Sequence, residues 1–101
     1  MIKVVLKPKD ISIIGHANYD EYGKDIVCSA VSATVICTVN AISSININAI
    51  NVSSIKDKLT INILEKDDIT NKLLNNMIKS LSQLEAKYSK NIKILYRREL
   101  W

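Results

Sequence analysis

Glycine and proline are almost absent from this sequence: two glycines and one proline in 101 residues. With so few chain-breakers there is no room for a flexible linker, and no internal repeat is visible, so residues 1–101 are read as one domain. Histidine occurs once and cysteine twice. Cys28 and Cys37 do not form the Cys-x-x-Cys pair of a redox enzyme. On a helix they stand roughly 13 Å apart along the axis and on opposite faces, too far for a disulfide, which needs Cα atoms within about 7 Å. One histidine and two distant cysteines do not make a tetrahedral zinc set either. No metal or cofactor is expected, and Cys37 is read as a core residue.

Aromatic residues are sparse, four tyrosines and one tryptophan. The net charge of +4 is mild. Its densest patch, Lys87, Lys90, Lys93, Arg97 and Arg98, lacks the interleaved aromatics of a nucleic-acid surface and reads as a solvated face. Charge is missing altogether from Ile26 to Ile55, which raises the question of a membrane span. Ser29, Ser32, Thr34, Thr38, Asn40, Ser43 and Ser44 make that stretch too polar for one. Met1-Ile2-Lys3 leads directly into a strand pattern, without the features of a signal peptide. A cytoplasmic protein with no membrane partner is expected.

The hydropathy pattern then places seven elements. Ile2, Val4 and Leu6 alternate as one face of a strand. Lys7-Pro8-Lys9-Asp10 is a turn, and Ile11 to Ile14 return as a hairpin partner that Gly15 ends. Asn18 to Gly23 is a polar loop. Asp25 caps a helix from Ile26 to Ile42 whose apolar residues point nearly all round, as in a helix buried on more than one side. Strands follow near 47–53 and from Leu59 to Ile63. Asp67, Asp68 and Thr70 start a second helix with the stripe Ile69, Leu73, Met77, Leu81, Leu84 and Tyr88. Ile92, Ile94 and Tyr96 form a last strand. The order β-β-α-β-β-α-β describes an α+β domain, two helices packed with short, mostly antiparallel sheets.

The residues that carry chemistry lie between Gly15 and Ser32. This run holds the single histidine, one cysteine and both glycines. His16 ends a strand, and Cys28 falls in the first turn of the long helix, with a loop between them long enough to fold back. A free thiol is only a few per cent thiolate at neutral pH. A helix N-terminus favours an anion there by about 0.3–1 kcal/mol, too little to activate it alone. A histidine partner is required, as a general base or as an imidazolium, and His16 is the only candidate. Read without further context, a buried packing cysteine and a polar strand-ending histidine explain the same two residues.

The run Gly15-His16-Ala17-x-Tyr19-x-x-x-Gly23-x-Asp25-Ile26-Val27-Cys28-x-Ala30-Val31-Ser32 resembles the signature of the ribosomal-processing cysteine proteases, the Prp family. The resemblance spans essentially the whole chain and is strongest over this run. It implies a cysteine endopeptidase with Cys28 as nucleophile and His16 as base, and a homodimer with helices packed between small sheets. It implies as substrate the N-terminal extension of large-subunit ribosomal protein twenty-seven, removed during ribosome maturation. It also implies supporting places for Gly15 beside the base, Asp25 at the helix cap and Ser32 one turn below the thiol. A mobile substrate-binding loop would correspond to residues 17–24, with Ala17, Tyr19, Tyr22 and Gly23. Ser29 departs from the alanine usual after the nucleophile. Asp25 has two roles open to it, capping the helix or orienting His16, and Ser32 either bonds near the thiol or back-bonds to the helix. Tyr19 and Tyr22 either pack the loop or clamp an apolar stretch of substrate. Backbone N–H groups at the helix start are candidates for an oxyanion site. The competing function is a non-catalytic, ribosome-associated module that grips a peptide without cutting it.

Overall fold

The computed structural model describes residues 1–21 and 25–96. Seven elements follow the expected order: β1 (Ile2–Leu6), β2 (Asp10–Ile14), α1 (Ile26–Ile45), β3 (Ile50–Ile55), β4 (Lys58–Ile63), α2 (Asp68–Lys87) and β5 (Ile92–Tyr96). The strands form one five-stranded sheet in the order β3-β4-β2-β1-β5, not separate small sheets. The reason is β2, which pairs antiparallel with β1 on one side and with β4 on the other, joining the two hairpins. Only β1 and β5 run parallel, with Ile2 opposite Ile92.

Alternation decides which face of the sheet is covered. Ile2, Val4 and Leu6 on β1, Ile11 on β2, Ile61 on β4, and Ile92 and Ile94 on β5 all enter one buried cluster. Val27, Val31, Val35 and Ile42 of α1 and Leu74, Met77 and Leu81 of α2 complete that cluster. Both helices therefore lie on the same face. Ile61, Met77 and Leu81 are fully buried, so truncating any of them to alanine removes about 2–5 kcal/mol of stability.

Several boundaries differ from the sequence pattern. α1 runs three residues past Ile42, until Asn46 turns out of the helix and its N–H closes the last turn on Ile42 O at 2.8 Å. β3 accordingly starts at Ile50, because Ile47 and Asn48 are spent in the turn that Asn46 organises. On α2 the buried set is Thr70, Leu74, Met77 and Leu81, while Ile69 is exposed. Asp67 fixes this phase by accepting both the N–H and the hydroxyl of Thr70, at 2.7 and 3.0 Å.

The largest departure concerns α1. Its length and mean hydropathy of 1.9 would suit a membrane span, yet one face packs on the sheet and the other stays open. Ile26, Ile36 and Ile45 are exposed. So is Cys37, which is not a core residue. At 100° per residue it lies half a turn from Cys28, and Cys28 faces inward.

Candidate active site

Asp25 organises the start of α1. Its Oδ1 accepts the N–H groups of Val27 and Cys28, each at 3.0 Å. Its Oδ2 accepts those of Tyr19 and Asp20, at 2.9 and 3.3 Å. One carboxylate thus caps the helix and ties down the preceding loop. Burial by itself would raise the Asp25 carboxyl, but the N–H groups of Cys28, Tyr19, Asp20 and Val27 together hold it below the usual carboxylate range. Asp25 makes no bond to His16, so capping is the role the geometry gives it.

This capping has a price for the thiol. The N–H groups of Val27 and Cys28 are committed to Asp25, and they are not offered to an oxyanion. The Asp25 charge also answers the positive end of the helix, leaving less of that field for a thiolate. The donor that does reach the sulfur comes from the loop: Ala17 N–H points at Cys28 Sγ across 3.2 Å. Ala17 itself is buried, and its carbonyl accepts from Asn91 Nδ2 at 3.0 Å. The residue that follows His16 in sequence is thereby pinned to the nucleophile candidate.

His16 and Cys28 open into one cleft of about 710 Å³ between α1 and the β3–β4 hairpin. Its apolar floor includes Ile13, Val31, Val35 and Leu59, and its rim carries Lys56 and Lys58. Gly15 enables the turn into His16. Its φ is +90°, and a Cβ there would come within 2.8 Å of Met1 O. Both facts demand glycine. Ser29 and Ser32 are exposed on the cleft wall. Ser32 makes neither the bond to the thiol nor the back-bond to the helix; on α1 it is Thr34, Thr38 and Ser44 that back-bond, to the carbonyls of Ala30, Thr34 and Ala41. Tyr19 lies outside the cleft lining, edge-on to Tyr88 with ring centroids 5.4 Å apart. Tyr22 and Gly23 lie outside the described residues.

One neighbour of His16 was not visible in the motif. Asp57, at the tip of the β3–β4 hairpin, places Oδ1 2.9 Å from His16 Nε2. The only sequence signal for it was the turn after β3, which predicts a hairpin but not its neighbour across the sheet.

A thiol held under the backbone of a histidine's neighbour, at the mouth of a peptide-sized cleft, matches a known group of enzymes. The sequence profile of the cysteine protease Prp covers residues 1–93. The chain belongs to the Prp cysteine protease family. It is a cysteine-type peptidase. A ribosomal processing cysteine protease Prp of Staphylococcus aureus is 32% identical over 94 residues, covering 90% of this chain and 89% of the relative. The crystal structure of the S. aureus ribosomal processing protease Prp with a covalently linked product peptide superposes with a TM-score of 0.91. It is 29% identical and covers 96% of this chain and 100% of that one. The same protease with a substrate peptide gives 0.84 at 28% identity, with the same coverage.

Proposed function

We propose that this protein is the endopeptidase that removes the N-terminal extension of large-subunit ribosomal protein twenty-seven during ribosome maturation. Cys28 is its nucleophile and His16 its base. The observation that carries this reading is the Ala17 N–H on Cys28 Sγ at 3.2 Å, which brings the histidine's backbone and the thiol together in one cleft. The S. aureus relatives support the peptide as substrate, since they are described with substrate and product peptides bound.

In the reaction Cys28 Sγ attacks the scissile carbonyl carbon while its proton passes to His16. His16 then protonates the departing amine as the C–N bond breaks, leaving a thioester. Water, deprotonated by His16, displaces the thiol and releases the acid. Ala17 N–H donates to the sulfur and steadies its negative charge.

The enzyme works as a homodimer in the cytoplasm. The exposed face of α1, with Ile26, Ala33, Ile36 and Cys37 and without a charge, supports a second copy as its cover. Both cysteines are free thiols, in keeping with a reducing compartment. A peptide spanning the extension and the start of the mature ribosomal protein tests the reading. Cleavage at one bond, lost in Cys28→Ser, is expected; a peptide left whole by the intact protein would refute it.

A further inference from the structure

The β3–β4 hairpin meets the Gly15–His16 turn at two points. Asp57 Oδ1 lies 2.9 Å from His16 Nε2, and Asp57 O accepts Gly15 N–H at 2.8 Å. One residue thus holds both the backbone and the ring of the base's segment. The hairpin is built to put it there. Ile55 pairs with Lys58, leaving Lys56 and Asp57 as a two-residue turn, and the β2–β4 register sets Lys58 beside Ile14. Lys56 takes a φ of 53°, a left-handed backbone that a residue with a side chain adopts only under constraint.

The contact is a poor source of stability. The His16 and Asp57 side chains are 53% and 64% exposed, and ion pairs in that setting contribute little to folding. Its chemistry is more informative. An ionised carboxylate can only accept a hydrogen bond, so the proton in this contact sits on Nε2. Neutral imidazole carries one proton, and Nδ1 is then the nitrogen with a free lone pair.

We propose that Asp57 is a positioning residue for His16: it holds the imidazole as the Nε2–H tautomer and so keeps Nδ1 unprotonated, ready to take the proton of the Cys28 thiol. This rests on the Cys28–His16 reading above. Without Asp57 the ring is free to rotate, and part of the population carries its proton on the wrong nitrogen. A peptide in the cleft displaces water from the contact, so the bond strengthens when it is needed.

His16 is the only histidine in the protein, so the ¹⁵N spectrum of its ring reports the tautomer without ambiguity. The wild type is expected to show Nε2–H, and Asp57→Ala a mixture of the two tautomers. With the ribosomal-protein peptide as substrate, Asp57→Ala should lower kcat by about 10–100-fold and change KM less than about threefold. Asp57→Glu should restore part of kcat, and thermal midpoints should stay within about 2 °C of wild type. An unchanged tautomer, an unchanged kcat, or a rate loss matched by a loss of thermal stability would each overturn the proposal. His16→Ala run in parallel separates the two levels. If it is inert while Asp57→Ala is fully active, only the role of Asp57 falls. If it cuts at the wild-type rate, the assignment of the base falls, and the role of Asp57 with it.

Discussion

The two halves of the site are held in opposite ways. At the start of α1, Asp25 is buried and accepts four backbone N–H groups, while the thiol lies beside a buried alanine. On the hairpin side, His16 meets Asp57 through one contact open to solvent. The thiol's place is fixed by the same bonds that hold the fold. The imidazole's place is fixed by a contact the fold scarcely needs. Removing the group that holds the first side, Asp25, should therefore move stability and activity together, and removing the one that holds the second, Asp57, should move activity alone.

Cys28→Ser gives the largest expected effect and the sharpest contrast. It keeps the shape of the side chain, so the thermal midpoint should barely move, while cleavage falls by about 10⁴-fold or more. Residual cutting near wild-type rate would break the assignment of the nucleophile. His16→Ala should come close to it in rate, also without loss of stability, because the ring is exposed.

Asp25→Ala tests the other half. Losing a cap and the loop's anchor should lower the thermal midpoint by about 5 °C or more, with a smaller fall in cleavage. Unchanged stability with abolished cleavage would mean that Asp25 acts on the chemistry instead. The acid limb sharpens this. The folded-state pKa of Asp25 is held below the ordinary aspartate range by its four N–H donors, so its contribution is whole above that range and is lost as pH falls through it. Asp25→Ala should therefore flatten the loss of stability between about pH 5 and pH 2; equal acid slopes in the two proteins would contradict the capping role.

Cys37→Ser should have the smallest effect. The side chain lies on the open face of α1, away from the cleft, so cleavage should stay within error of wild type and the thermal midpoint should move only by what the second copy's cover contributes there. Its thiol should label equally with and without a peptide in the cleft, whereas Cys28 should be protected by the peptide; protection of Cys37 instead would reverse the two assignments.

What the sequence disclosed divides along the same line. Asp25, Cys28 and the order of elements rest on local signals, a cap followed by a long apolar segment and alternation within strands, and each was legible. Asp57 was not, because its tie to His16 depends on β2 pairing with β4, forty-one residues away in the chain. Alternation within a strand marks its buried face but does not name its partner. Cys37 was misplaced for a different reason. A helix apolar all round gives no phase of its own, and only the inward position of Cys28 sets which side faces out.

The parallel pairing of β1 with β5 has a consequence for when the enzyme can first work. Ile2 sits against Ile92, Ile2 N–H bonds to Asn91 O at 2.8 Å, and Asn91 in turn holds the carbonyl of Ala17. β1 gains β2 as a neighbour soon after it is made, but must wait for β5 before it gains its second. Contacts of such sequence separation close late in folding. A nascent chain arrested at Ser89 is expected to remain sensitive to added protease, and one extended through Tyr96 to resist it. The loop ahead of Cys28 is thus tied down only once β5 has been made, so a copy still lacking that strand has no finished blade.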